Sequence, residues 1–189
     1  MSQPHAGYTS VGVSTPAGNG VSLSGDRPGR GARTMDRTSP FVSSLLVTAF
    51  VASLVVLVGS MLFFSAAVLP VVFINMGPTD GGAVAQLVFP YYYGVCLAAS
   101  LVLLLVTFAQ ARTAGGRWRV AAGVAGAVFV IQAYAALVLY PEIVALRSTP
   151  ADRSPRFTVL HERSVRLNGV ALLGGIALVL GSGALLVRR

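Results

Sequence analysis

The chain has 189 residues, of which 54% are hydrophobic and 11% are charged, and its formal net charge is +8. A soluble domain carries about 25% charged residues, so this composition excludes that class and indicates an integral membrane protein. All 14 basic residues are arginines. They cluster at the ends of apolar runs, where they orient membrane helices, so nucleic-acid binding is not predicted. A single cysteine, Cys96, excludes an intrachain disulfide and a multi-cysteine metal site.

The sequence divides into a polar tail and a membrane domain. Residues 1–38 are rich in Ser, Gly, Thr and Pro and show no helical or strand periodicity. Such a segment buries too little apolar surface to offset the entropy of ordering it, so it is predicted to be a disordered cytoplasmic tail. Residues 39–189 predict an all-α membrane protein, a four-helix transmembrane bundle. Its predicted helices cover about 41–69, 90–111, 120–140 and 165–187.

Prolines mark the end of the first predicted helix and the start of the second. Pro70 lacks a backbone N–H and disfavours helix in the residue before it, so a kink or an end is expected there. The stretch GPTDGG, residues 77–82, has the composition of a turn. Pro90 suits the first position of the second helix. The three residues that follow suit the membrane–water boundary; they are Tyr91, Tyr92 and Tyr93.

The third and fourth predicted helices are dense in small residues. Pairs spaced by four residues let another helix backbone approach closely. The pairs are Ala122 with Gly126, Gly123 with Ala127, Ala171 with Gly175, and Ala177 with Gly181. The fourth helix is expected to extend backwards by one or two amphipathic turns from Arg156.

The predicted spans contain no Asp, Glu, Lys, Arg or His in their interiors. Pumps and ion-coupled transporters need such groups at membrane depth, so these classes are not predicted. Gln132, midway along the third helix, either makes an interhelical hydrogen bond or lines a cavity. With 2 His and 1 Cys in the chain, no cofactor and no metal site is expected.

The distribution of arginine predicts the orientation. The tail, the loop 112–119 and the C-terminus carry most of the arginines, and the first loop carries none. The positive-inside rule therefore favours both termini in the cytoplasm of a bacterium, with the protein in the inner membrane. Five arginines between residues 147 and 166 oppose this orientation.

The stretch FTVLHERSVRLNGV, residues 157–170, carries a polar stripe where the last helix enters the membrane. On an α-helix, Ser164 lies about 60° and Asn168 about 20° from His161, so the three side chains point the same way. The stripe has two interpretations. It satisfies freed backbone groups and pins the last helix to the bundle, or it forms a shallow polar site for a lipid headgroup, a small ligand or a metal.

The same stretch argues against a hydrolase and predicts an ion pair. Ser164 and His161 are three residues apart on one helix, which is a poor nucleophile–base geometry, and no acidic residue is placed to orient the histidine. Glu162 and Arg166 have the i, i+4 spacing of a helical ion pair on another face.

Five motifs together resemble a known family. They are GSMLFF at Gly59–Phe64, PVVF at Pro70–Phe73, LVFPYYYGV with Pro90, Tyr91 and Tyr92, YPEI at 140–143, and FTVLHERSVRLN with Phe157, His161, Ser164 and Asn168. Over about residues 45–187 the chain resembles the transmembrane protein 205-like family, a membrane domain of unknown function in bacteria. The resemblance implies a four-helix integral membrane protein without an established activity. The eukaryotic branch is associated with tolerance of a platinum drug, which implies metal or xenobiotic handling.

These patterns favour a non-enzymatic scaffold or binding protein with an interfacial polar site. The candidate site residues are His161, Ser164, Asn168 and Phe157, and the candidate structural or cavity-lining residues are Pro70, Pro90, Tyr91, Tyr92 and Gln132. The expected partners are the lipid bilayer and either a second copy of the chain or a membrane partner protein. The alternative is transport of, or resistance to, a metal or small toxic compound, with His161 as a ligand.

Overall fold

The computed structural model describes residues 40–147 and 155–187, and all regular structure in these two ranges is helical. The predicted tail, residues 1–38, lies outside the described residues. The helices are α1 (Pro40–Phe63), α2 (Leu69–Ala114), α3 (Gly116–Tyr134), α4 (Tyr140–Arg147) and α5 (Pro155–Leu186). Five-residue π-helical turns, Phe64–Val68 and Ala135–Leu139, join α1 to α2 and α3 to α4.

The chain reverses direction at Gly77, inside α2. This glycine has φ 73° and ψ 179°, and it is the residue of α2 with non-helical backbone angles. The rings of Phe64 and Phe89, on either side of the break, lie 5.2 Å apart between centroids. Residues this far apart on a straight helix would be separated by roughly 37 Å, so the two halves fold back on each other.

This reversal is tighter than the turn that composition predicts. Gly77 alone leaves helical geometry, and residues 78–82 are helical. Pro78 directly follows the break, where its fixed φ suits a first helical position and its missing N–H costs nothing. The helix leading to the tyrosines therefore begins well before Pro90, which lies inside α2 instead of starting it.

Each π-helical turn lies just before a proline. The backbone N–H of Leu69 donates to the carbonyl of Phe64, and Pro70 follows; the N–H of Tyr140 donates to the carbonyl of Ala135, and Pro141 follows. A proline in an α-helix clashes with the carbonyl four residues earlier and cannot donate to it. The wider π-helical turn removes this conflict. The helix therefore continues through Pro70, where a kink or an end is predicted, and beyond Pro141.

Three helices in the described ranges are long and apolar enough to cross a membrane, namely Phe41–Ala114, Gly116–Leu146 and Pro155–Leu186. The first and second predicted spans both fall within the first of these stretches, which the reversal at Gly77 divides. The last helix begins at Pro155, so the predicted backward extension from Arg156 is confirmed. The chain is therefore a membrane protein by the length and composition of its helices.

Most buried polar side chains of the interior have hydrogen-bond partners, and among the described residues the exception is Gln110 Nε2. Ser100 and Thr107 are fully buried, and their hydroxyls donate to carbonyls of their own helix at 3.0 and 2.8 Å. Gln132, 1% exposed, donates from Nε2 to Met61 Sδ at 3.5 Å. Of the two alternatives for Gln132, the structure therefore shows the hydrogen bond between helices, which here joins α3 to α1.

Small residues allow close helix contacts on α5. A Cβ atom built on Gly175 would lie 2.8 Å from Val58 Cγ2 of α1, and one built on Gly174 would lie 2.8 Å from Val128 Cγ2 of α3. Ala171 and Gly175 are both buried, as their spacing predicts. On α3 the packed pair is instead Ala121 with Ala125.

Candidate functional site

A cavity of about 410 Å³ lies where the first half of α5 packs against α2 and the π-helical turns. Its polar lining comes mainly from α5, with His161, Ser164 and Asn168, and Ser65 of the turn after α1 adds to it. Its aromatic lining comes from α2, the turn after α1 and the start of α4, and consists of Phe64, Phe89, Tyr92, Tyr93 and Tyr140. The predicted stripe therefore faces a cavity at the start of the last helix.

Two hydrogen bonds join the polar stripe to α2. The hydroxyl of Tyr92 donates to Asn168 Oδ1 at 2.8 Å. The hydroxyl of Tyr93 and Ser164 Oγ lie 3.3 Å apart, and either one can donate. These bonds fix α5 against α2 and hold the amide and the hydroxyl at the cavity wall.

The position of Tyr92 follows from the apolar pattern of α2. Tyr92, Cys96, Ala99 and Leu103 are all buried and are separated by alternating steps of four and three residues. This is the spacing of the packed stripe of a helix. Tyr92 is the member of the stripe closest to the cavity, so its ring is buried while its hydroxyl reaches α5.

The aromatic rings of the cavity wall pack on one another. Phe64 stacks on Tyr92 with centroids 4.4 Å apart and an interplanar angle of 18°. Phe89 stacks on Tyr93 at 5.7 Å and 20°, and Tyr140 lies 5.5 Å from Tyr93. Such contacts contribute about 0.5–1.5 kcal/mol each beyond area burial. The wall is therefore a rigid aromatic surface.

His161 stands at the edge of this cavity and of a smaller one. Its ring stacks on Phe157, one turn earlier, at 5.9 Å and 5°. Both side chains line the second cavity, of about 70 Å³, and Tyr140 lines it as well. The hydroxyl of Tyr140 donates to the Gln86 carbonyl at 3.0 Å. His161 and Tyr140 thus form part of the partition between the two spaces.

Two exposed arginines near the site form ion pairs with glutamates. Glu162 accepts from Arg166 at 3.0 Å, which confirms the predicted i, i+4 ion pair. Arg156 lies 4.0 Å from Glu142, linking α5 to α4. Among the described residues, no group of three or more His, Cys, Asp or Glu is placed to hold a metal ion. The arrangement offers hydrogen bonds and aromatic surface to a ligand.

Some predicted residues lie away from the cavity. Tyr91 is 77% exposed and points outward. Pro70 and Pro90 are exposed on their helices, and Gln132 contacts Met61 in the interior. Phe157 contacts the site through the His161 ring and lines the smaller cavity.

Sequence reasoning placed Tyr93 at the membrane boundary and assigned no site role to Tyr140. Three consecutive residues on a helix are 100° apart, so a run of three tyrosines cannot face lipid together. That spacing was a signal that at least one of the three lies inside. For Tyr140 the sequence signal is weak, because its position depends on the π-helical turn before it.

Comparison with known proteins gives one family match. A family model described as Domain of unknown function (DUF4149) matches residues 52–150, just over half of the chain. The match includes the aromatic wall of the cavity and ends before α5, which carries His161, Ser164 and Asn168. Nothing matches among curated proteins or among solved structures. The finer resemblance to the transmembrane protein 205-like family is not part of these matches and stays a prediction.

Proposed function

The chain belongs to the DUF4149 family of domains of unknown function, and from this premise we propose that it is a non-enzymatic ligand-binding membrane protein. Its ligand is an amphipathic molecule with a ring system and one hydrogen-bonding head. The ligand enters the aromatic cavity from the membrane interface, with the rings against α2 and the head towards α5.

The proposed topology has four crossings and both termini in the cytoplasm of a bacterium, with the protein in the inner membrane. A crossing needs about 20 residues, and each half of the stretch Phe41–Ala114 exceeds that length on either side of Gly77. The reversal at Gly77 supports two crossings in this stretch. The helices Gly116–Leu146 and Pro155–Leu186 add one crossing each.

The proposal rests on the composition of the cavity wall. Ligand sites in proteins have volumes of about 300–1,000 Å³, with mostly apolar walls and a few convergent polar groups. The present cavity has about 410 Å³ and shows this division, with stacked aromatic rings on one side and His161, Ser164 and Asn168 on the other. A molecule that is both apolar and hydrogen-bonding complements both sides.

The same geometry supports a binding role over hydrolysis. Ser164 Oγ lies beside the Tyr93 hydroxyl, and His161 stacks on Phe157. The two glutamates of this region, Glu142 and Glu162, lie next to arginines. Triad chemistry requires a nucleophile hydrogen-bonded to a base, and the base hydrogen-bonded to an orienting acid. The contacts of the described residues do not bring these groups together.

Binding of 2-naphthol, a two-ring molecule with one hydroxyl, tests the proposal. Equilibrium dialysis would compare nanodiscs that contain the protein with empty nanodiscs. Gly169 lines the cavity and has open space where a Cβ would stand, so Gly169→Leu adds a bulky side chain at the cavity wall without a clash at Cβ. Gly123→Leu, at another helical glycine with open space, is the control.

We expect saturable binding to the wild type and to Gly123→Leu, and at least a ten-fold weaker affinity in Gly169→Leu. Equal binding to all three proteins would refute the proposal. The metal alternative is tested on the same preparations by metal analysis of the wild type beside His161→Ala. Stoichiometric metal that disappears in the variant would favour transport or resistance, with His161 as a ligand.

A further inference from the structure

A second surface groove lies at the other end of the helices, where α3 begins and α5 ends. It has a volume of about 350 Å³. Its walls are apolar side chains of α3 and α5, among them Val120, Val124, Ala177 and Leu178, and Arg117 stands at its edge. Arg117 and Tyr140 are separated by roughly 35 Å of helix, so this groove is distinct from the aromatic cavity.

The groove is open to the side of the molecule. Val120 on one wall is 69% exposed. On the other wall, a Cβ built on Gly181 would have no atom within 4 Å. Small residues on α5 thus leave a slot between the helices, and the surroundings of a membrane protein at this position are acyl chains.

Three arginines without acidic neighbours give this end of the described structure a net positive charge. Arg117 donates from Nη1 to the carbonyl of Ala184 at 3.3 Å, which holds the guanidinium beside the groove. A guanidinium has five N–H donors, so others remain for a ligand. Arg112 and Arg119 are exposed on neighbouring turns.

No negative group balances these arginines in the ranges that the structure describes. The acidic residues there are Asp80, just after the reversal at Gly77, Glu142 on α4, and Glu162 on the first half of α5. The first turn of α3 contains no acidic residue, and no side chain caps it. A helix N-terminus carries a partial positive charge that favours anions, so it adds to the charge of the arginines.

We propose that this groove binds one acyl chain of an anionic phospholipid, with the lipid phosphate at Arg117. The apolar slot holds the acyl chain, and Arg117 binds the lipid phosphate. A free phosphate ion would leave the slot unused, and a zwitterionic lipid would leave the positive charge unbalanced. The site does not depend on the proposed function of the aromatic cavity.

Tryptophan fluorescence provides a direct test, because Trp118 is the 1 Trp of the chain and follows Arg117. Bromine on an acyl chain quenches tryptophan at short range. The full-length protein is reconstituted in phosphatidylcholine vesicles that contain brominated phosphatidylglycerol or, in a parallel series, brominated phosphatidylcholine. The ratio of the two quenching constants measures the preference for the anionic lipid.

Two variants and two matched controls separate charge from shape. Arg117→Gln removes the charge, and Arg163→Gln removes a charge at the other end of the molecule. Gly181→Leu fills the slot, and Gly183→Leu adds the same side chain outside it, where a Cβ also has open space. Thermal unfolding of each variant confirms that it is folded.

We expect the wild type and both controls to prefer brominated phosphatidylglycerol. Arg117→Gln is expected to lower the preference about five-fold, the effect of one arginine at an anionic surface, and Gly181→Leu is expected to remove it. Equal quenching by the two lipids in the wild type would overturn the proposal, as would an unchanged preference in both variants. Quenching that falls as the protein-to-lipid ratio rises would assign the groove to a second copy of the chain instead.

Discussion

Replacing Gly77 by alanine is expected to destabilise the protein through its backbone alone. Gly77 has φ 73° and ψ 179°, a region that is essentially restricted to glycine, and holding another residue there costs about 1–3 kcal/mol. A Cβ at this position would have no atom within 4 Å, so no clash contributes. Alanine also restricts the unfolded chain, which offsets about 0.4–1 kcal/mol. The net loss of unfolding free energy is therefore about 1 kcal/mol, within a range of roughly 0–2.6 kcal/mol.

Unfolding by a graded rise of sodium dodecyl sulfate in mixed micelles, followed by circular dichroism, measures this loss. Gly123→Ala is the control, because Gly123 is helical, exposed and free of neighbours within 4 Å. Its replacement is expected to stabilise the protein by about 0.5–1 kcal/mol, the usual difference between alanine and glycine in a helix. If Gly77→Ala also stabilised the protein, the chain reversal would not depend on the left-handed backbone of this residue.

Two further predictions concern contacts between helices. In a double-mutant cycle with Tyr92→Phe and Asn168→Leu, the hydrogen bond of 2.8 Å is expected to give a coupling of about 0.6–1.7 kcal/mol in the same unfolding assay; strictly additive effects would show that the bond contributes nothing. Gly175→Val is expected to cost about 1–3 kcal/mol by overpacking, because its Cβ would lie 2.8 Å from Val58 Cγ2. Adding Val58→Ala should restore most of that loss, and failure of this rescue would place the strain elsewhere.

Composition was sufficient to predict a helical membrane protein, because apolar runs of spanning length have few alternative structures. The polar stripe of α5 was also predictable. His161, Ser164 and Asn168 lie on one face by helical spacing alone, and that face lines the aromatic cavity. The dialysis experiment distinguishes a stripe that binds a ligand from one that only pins the helix.

The helix boundaries were harder to predict, for a physical reason. A proline in a sequence usually signals a break, yet Pro70, Pro90 and Pro141 all lie within helical segments. At Pro70 and Pro141 a π-helical turn just before the proline avoids the clash between the proline ring and the carbonyl four residues earlier. Gly77, which sits in a stretch of several turn-forming residues, alone makes the reversal. Composition identifies such a stretch, but it does not show which of its residues reverses the chain.

The partner of the polar stripe could not be derived from sequence, since it depends on how two helices rotate relative to each other. Tyr92 and Tyr93 reach α5 while Tyr91 faces outward. Local periodicity identifies the buried stripe of α2, but the residue on α5 that it meets is set by the reversal at Gly77 and by the close approach of α5 at Gly175.

The π-helical turn Ala135–Leu139 sets the direction in which Tyr140 points. A π-helical turn holds one residue more than the α-helical turn it replaces, so it resets the angular register of everything that follows. A regular α-helix of the same chain length would instead rotate Tyr140 by about 100°. Its hydroxyl would leave the Gln86 carbonyl, and its ring would leave the partition between the two cavities. The direction of Tyr140 therefore depends on keeping this wide turn, and a substitution that straightened it would displace the ring.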